Sequence, residues 1–84
     1  MQAGRVMKKY SEEIIRYPAV TGEGKRCEIL ERITFERPEL ADGSLGEPVV
    51  VNRRFDLRTG ERLNRISDTE FADDETDARV LLQP

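Results

Sequence analysis

Residues 53–65 read RRFDLRTGERLNR, which places five arginines in thirteen positions of a chain whose net charge is −3. Gly60 tolerates the left-handed conformation of a tight turn, so a three-residue loop at residues 58–60 predicts a β-hairpin. A two-residue loop would move Leu63 to the opposite face, and such a one-residue slip exposes the hydrophobic residues to solvent. We therefore expect strands at 49–56 and 61–66. The facing pairs in this register are Phe55 with Leu63, Asp56 with Arg62, and Arg53 with Arg65.

The strand before the loop shows the alternation of a half-buried β-strand. Val49, Val51, Phe55 and Leu57 share one face, which is expected to be buried, and Val50 lies on the other face with the polar residues. Arg53 is the exception on the buried face. A second segment, residues 25–36, alternates less cleanly because Glu31 interrupts the apolar parity. Its Ile29, Leu30 and Ile33 also fit a helical stripe, but the β-branched and aromatic residues at 33–35 favour a strand with a bulge near residues 30–31. The core predicted from these patterns consists of Ile29, Ile33, Phe35, Val49, Val51, Phe55, Leu63, Phe71 and Val80.

A weak repeat indicates that the hairpin is used more than once. Thr59-Gly60 follows an aromatic residue and precedes Arg and an apolar residue, and Thr76-Asp77 stands in the same context. Thr21-Gly22 is a fainter third copy. Gly and Asp both tolerate the backbone conformation of a tight turn. We therefore expect three hairpins, the last being a strand near Phe71, an acidic turn and a strand at 78–82.

Chain length and composition predict one small folded domain. The 84 residues are 37% hydrophobic and 37% charged, which is polar without being typical of a disordered chain. The predicted fold is mainly β: an antiparallel meander of five or six strands, forming a curled sheet or a partly open barrel. The alternative is an α+β fold with a short terminal helix. Residues 1–10 are expected to be a disordered extension, with translation starting at Met1 or Met7, and residues 11–84 to be the domain.

Two segments leave alternatives open. Residues 8–17 fit either a strand or a helix, because Tyr10, Ile14 and Tyr17 also lie on one helical face. Residues 37–48 form the longest break, marked by Pro and Gly, and loops of about twelve residues are often mobile or functional. The sequence does not decide whether this loop has a function.

The residue types exclude much catalytic chemistry. Histidine is absent, which removes the usual general base and the commonest metal ligand. The single cysteine, Cys27, is expected to pack as a small hydrophobe. The acidic residues after Ser67 lack the glycine and the spacing of a calcium loop. We therefore expect no enzyme activity, no cofactor and no metal site.

The arginines provide the only candidate binding residues: Arg53, Arg54 and Arg65. Basic and acidic segments alternate along the chain, so carboxylates of neighbouring strands are expected to neutralise this cluster. The sequence favours a cytoplasmic protein-protein interaction module whose partner is another protein, or itself through a sheet edge. It has no transmembrane helix and no expected membrane contact. The alternative is a small β-fold nucleic-acid-binding protein that uses the hairpin from Arg53 to Arg65, although a pI near 5.0 makes nucleic acid the less favoured partner.

Overall fold

The computed structural model describes residues 8–84, and these residues form an all-β, antiparallel structure without a helix. Consecutive strands pair in order and the last strand pairs with the first, which closes a small barrel. The predicted meander is therefore confirmed, in its barrel form. Its strands are β1 (Lys8–Thr21), β2 (Arg26–Pro38), β3 (Val49–Leu57), β4 (Arg62–Arg65), β5 (Glu70–Asp73) and β6 (Arg79–Leu82).

Strand β1 settles the choice that the sequence left open for residues 8–17, which are extended throughout. It also includes residues 8–10, which the sequence assigned to the N-terminal extension. The rest of that extension, residues 1–7, lies outside the described residues. Strands β1 and β2 pair in one continuous register from Lys8–Pro38 to Val20–Arg26.

The hairpin predicted from residues 53–65 is confirmed in its loop and register. Phe55 is opposite Leu63 and Asp56 is opposite Arg62. The N–H of Leu57 donates to the carbonyl of Glu61 at 2.8 Å, and Gly60 has a φ of 110°. The pairing is shorter than predicted, because β3 and β4 separate after these two positions.

The weak repeat predicted from the sequence coincides with turns in the structure. Asp77 has a φ of 62°, so Thr76-Asp77 places an aspartate where Thr59-Gly60 places a glycine. In the first hairpin the left-handed residue is Gly24 rather than Gly22, because Thr21 pairs with Lys25 across the turn. The faint copy at Thr21 was therefore aligned two residues too early.

The pairing of β2 with β3 contains a bulge, but in β3 and not in β2 near residues 30–31 as predicted. The register with β3 shifts between Thr34 and Phe35, where Val50 and Val51 occupy the length of one residue. Leu30 and Glu31, where the bulge was expected, are instead regularly paired and buried. The next segment is partly ordered, since Glu39 bridges Leu45 around a tight turn.

The core fills the closed barrel and consists of Ala19, Ile29, Leu63, Phe71 and Val80. Phe55 packs against Phe71 with ring centroids 4.9 Å apart, and Ile33 is buried next to the barrel. Phe35 is half-buried. The prediction was wrong for Val49 and Val51, which are 54% and 48% exposed. Their alternation is typical of a half-buried strand, but they lie beyond the barrel, where nothing in residues 8–84 forms a second layer over β3.

Three strands continue past the barrel as an arm, composed of residues 8–16 of β1, 30–38 of β2 and 49–54 of β3. The molecule measures 57 × 25 × 20 Å, and its radius of gyration is 17.5 Å. A compact domain of this size has a radius of gyration of about 12 Å. The excess reflects the arm, whose nine-residue β1 segment alone spans about 30 Å.

Gly60→Ala should destabilise the protein by about 1–2 kcal/mol, because an L side chain is strained at a φ of 110°. Gly22→Ala is the matched control: its new Cβ would meet only a backbone oxygen at 3.8 Å, and its φ is not positive. Urea denaturation measures both. Equal midpoints for the two variants would contradict the left-handed assignment of Gly60.

Candidate functional site

A buried carboxylate stands where the barrel meets the arm. Glu31 is 7% exposed, on the face of β2 that continues the barrel interior. The hydroxyl of Tyr17 donates to its Oε1 at 2.7 Å, and Nε of Arg53 lies 3.0 Å from its Oε2. A buried charge is tolerated only when it is paired and hydrogen-bonded. Tyr17 and Arg53 supply both conditions from the two strands that flank β2.

A second buried carboxylate stands on the opposite face of the same junction. Asp56 is 6% exposed, and its Oδ2 accepts from Nε of Arg32 at 2.9 Å and from Nε of Arg54 at 3.2 Å. Arg32 also reaches Glu12 at 3.4 Å. This network links all three strands of the arm, so charged groups fix the junction on both faces.

The three arginines predicted as binding residues line one open depression of about 350 Å³, but each guanidinium pairs with a different carboxylate. Arg53 and Arg54 are consecutive in β3 and pair with carboxylates on opposite faces. Arg65 lies opposite Phe71 of β5 and binds Asp68 at 2.7 Å. The predicted pairing of Arg53 with Arg65 is wrong, because β4 turns away to β5 before it can reach Arg53. Each of the three guanidinium groups already has an intramolecular carboxylate.

The residues that the prediction missed had left a signal in the sequence. Glu31 interrupted the apolar parity of β2, and Arg53 was the exception on the buried face of β3. The structure shows that these two exceptions are partners. A charged residue on the buried face of one strand and an opposite charge on the buried face of the next strand together indicate an ion pair. The pattern of either strand alone shows only an exception to the alternation. Tyr17 gave no such signal, since its aromatic ring fits any core.

Hydrogen bonding and burial shift two pKa values near the core. The hydrogen bond to Glu31, together with burial, raises the pKa of Tyr17 above its usual value, so the hydroxyl stays a donor at neutral pH. Burial raises the pKa of the Cys27 thiol. A thiol with a raised pKa is a poor nucleophile, and Cys27 packs against the core as predicted.

The barrel mouth beside Glu31 is a small cavity of about 280 Å³. Phe55, Phe71 and Leu82 give it an apolar lining. Its polar groups are already engaged, since Tyr17 binds Glu31 and Arg65 binds Asp68. The cavity therefore has a hydrophobic surface but offers a ligand few uncommitted polar partners.

The arm, by contrast, has strand edges that no other strand of residues 8–84 pairs with. Strand β6 pairs with β1 only at residues 19–21, and the N–H of Gln83 donates to the carbonyl of Pro18. Among the residues described, no strand pairs with β1 at 8–17 on this side, which we call the β1 edge. An unpaired strand edge is a ready template for another strand.

Among residues 8–84, β3 also has an unpaired edge at residues 49–54, because β4 pairs with it only at Phe55 and Asp56. This edge contains the bulge at Val50 and Val51. A bulge interrupts the regular spacing of the hydrogen-bonding groups and is one way in which proteins discourage edge-to-edge pairing. The β1 edge has no such interruption.

Other classes of site receive no support. No group of side chains between residues 8 and 84 is arranged to hold a metal ion. The same residues contain no helix long and apolar enough to cross a membrane. No known protein family, curated protein or solved structure matches this chain.

Arg53→Ala should destabilise the protein by about 1–3 kcal/mol, because it removes one of the two partners of buried Glu31. Arg65→Ala should cost less than about 0.5 kcal/mol, since its partner Asp68 is 95% exposed. Denaturation midpoints test the difference. Glu31→Gln should remove most of the penalty of Arg53→Ala in a double-mutant cycle, and an unchanged penalty would show that the ion pair is not its cause.

Tyr17 should titrate above the ordinary tyrosine value of about 10. The Tyr10→Phe variant leaves Tyr17 as the sole tyrosine, so its ultraviolet absorbance titration reports this group alone. Because folding raises the pKa, the stabilisation from this hydrogen bond is present below pH 10 and is lost as the pH rises through the raised value. Adding Glu31→Gln should lower the midpoint. A midpoint that does not move would contradict the role of Glu31.

Proposed function

We propose that this protein is a non-enzymatic protein-protein interaction module that binds another polypeptide through its three-stranded arm. The observation that carries the proposal is the arm itself, which extends beyond the closed barrel and has two backbone edges that no other described strand pairs with. Such edges recruit extended segments by adding a strand to the sheet. The single cysteine fits a cytoplasmic site of action, where disulfides are rare.

The side chains of the arm support the same function. Tyr10, Ile14 and the three valines of residues 49–51 are between 42% and 63% exposed. Tyr10 and Ile14 belong to β1 and the valines to β3, so each edge strand of the arm has its own exposed apolar residues, and such residues often mark a binding surface. A strand added to the arm would satisfy the backbone groups and cover some of these side chains at the same time.

The nucleic-acid alternative is less well supported by the geometry. A phosphate-binding surface needs cationic groups that point the same way and lack partners. Here Arg53 and Arg54 point to opposite faces, and both are paired with buried carboxylates. A phosphate would have to compete with Glu31 and Asp56, and displacing either arginine would leave a buried charge unpaired.

Selection from a phage-displayed library of dodecapeptides tests the proposal. We expect enriched peptides with alternating apolar residues, which is the pattern of a strand with one covered face. Binding should fall at least about tenfold in Glu12→Pro, which blocks the β1 edge, or in Val49→Lys/Val51→Lys, which adds charge to the arm. Glu75→Lys, in the exposed turn at residues 74–77, is the control and should bind normally.

Two outcomes would oppose the proposal. One is that no peptide is enriched over an unrelated β-protein. The other is that the arm variants and Glu75→Lys bind the enriched peptides equally well, which would place the binding surface elsewhere. Oligonucleotide binding at about 0.15 M salt that disappears when Arg53, Arg54 and Arg65 are replaced by alanine would instead favour the nucleic-acid function.

A further inference from the structure

The direction of the backbone groups along the β1 edge follows from three hydrogen bonds. The N–H of Thr21 donates to the carbonyl of Lys25, just before β2, whereas the N–H of Gly22 donates to Arg79 and the carbonyl of Pro18 accepts from Gln83 on the other side. Direction alternates from residue to residue in a strand, and the β1–β2 register has no shift. Even-numbered residues therefore direct their backbone groups toward the β1 edge.

Pro18 conforms to this alternation. As an even-numbered residue it would direct an N–H away from β2, and proline has no N–H to direct. The β1–β2 ladder therefore loses no hydrogen bond at Pro18. Beyond it, Tyr10, Glu12 and Ile14 each present an N–H and a carbonyl at the β1 edge in the spacing of a regular antiparallel ladder.

Two opposite charges along this edge have no ion-pair partner among residues 8–84. Lys9 and Glu13 form no ion pair within the described part of the chain, whereas Glu12 is 3.4 Å from Arg32. Lys9 and Glu13 are odd-numbered, so both side chains lie on the face that continues the barrel interior. They are four residues apart in one strand, which is too far for them to pair with each other. In an antiparallel copy of the same strand, however, Lys9 of one copy can lie opposite Glu13 of the other.

A second copy of the chain satisfies these constraints in one register. Two copies of β1 in one sheet are related by an axis perpendicular to it, so facing residues have the same parity. Centring the axis on Ser11 places Lys9 opposite Glu13 of the second copy, and the reverse pair follows by symmetry. A centre on Tyr10 leaves Glu13 without Lys9, and centres on Glu12 or Glu13 place two glutamates face to face, which is destabilising.

We propose that this protein forms a homodimer by antiparallel pairing of the β1 edges, with the two-fold axis at Ser11 and reciprocal Lys9–Glu13 pairs. The dimer rests on the proposed interaction function and names its partner. Residues 8–14 of both copies provide about eight backbone hydrogen bonds. The two arms then form one continuous sheet of six strands.

The exposed apolar side chains of β1 are covered in the same register. Tyr10 and Ile14 are 63% and 42% exposed and lie on the other face of the arm. With Tyr10 opposite Glu12 of the second copy, its diagonal neighbour is Ile14 of that copy, at a distance that an aromatic side chain spans. One register thus pairs the unpaired charges on one face and covers the apolar residues on the other.

Sedimentation equilibrium tests the charge pairs through a swap. Lys9→Glu or Glu13→Lys alone replaces two attractive contacts with two repulsive ones, so each should raise the dimer dissociation constant by about tenfold or more. The double variant Lys9→Glu/Glu13→Lys restores opposite charges and should return to within about threefold of the parent protein. Equal weakening in the double variant, or no change in either single variant, would overturn the register.

Cross-linking tests the two-fold axis. In a Cys27→Ala background, Ser11→Cys places the two thiols directly opposite each other in a non-hydrogen-bonded pair, about 4.5 Å between Cα atoms, which a disulfide spans. Mild oxidation should convert it to a covalent dimer. Glu13→Cys is the control, since its two copies would be about 13 Å apart along the strands. Equal cross-linking of the two variants would overturn the proposed axis.

The two proposals fail differently. A parent protein that remains monomeric at millimolar concentration overturns the homodimer. If the same protein still selects peptides that Glu12→Pro or the lysine variant fails to bind, the interaction function stands with a different partner. If the dimer is absent and no peptide is selected, both proposals fall.

Discussion

The rest of the structure depends on the burial of Glu31 between Tyr17 and Arg53. A carboxylate at this depth requires a hydrogen-bond donor and a cation, and the strands on either side of β2 provide one each. The three strands must therefore stay in one register where the barrel ends and the arm begins. Asp56, with Arg32 and Arg54, imposes the same requirement on the opposite face. The arm is held by two charged clusters at its base rather than by a hydrophobic core of its own.

This arrangement explains how so small a chain supports a long extension. The barrel contains the apolar core. Of the long strands β1, β2 and β3, only the segments inside the barrel contribute residues to this core. Beyond the junction β2 is paired on both sides, with β1 and with β3, whereas β1 and β3 are each paired on one side only among the described residues, and several apolar side chains remain exposed. An isolated domain gains nothing from exposing such groups. A binding surface gains from them, because the backbone groups of an edge give affinity to any strand that fits.

The two edges of the arm differ in ways that bear on specificity. The bulge at Val50 and Val51 disrupts the edge of β3, whereas β1 keeps an unbroken ladder with a lysine and a glutamate four residues apart. Regular hydrogen bonding makes an edge able to pair, and the charges select the register in which it pairs. The proposed dimer uses both properties, and charges that repel in the neighbouring registers provide its specificity.

The sequence by itself determined the local structure: the loop at residues 58–60, the facing pairs Phe55–Leu63 and Asp56–Arg62, and the acidic turn before the last strand. These features depend on residues that are close along the chain, where turn geometry and alternation leave few choices. Only the tertiary structure decided that Val49 and Val51 are exposed, that Arg53 binds Glu31 instead of facing Arg65, and where the barrel closes. Alternation shows that a strand has two different faces, but not whether a second layer covers either one. That depends on the point at which β4 leaves β3 and β6 meets β1, which is set by contacts between residues far apart in the sequence.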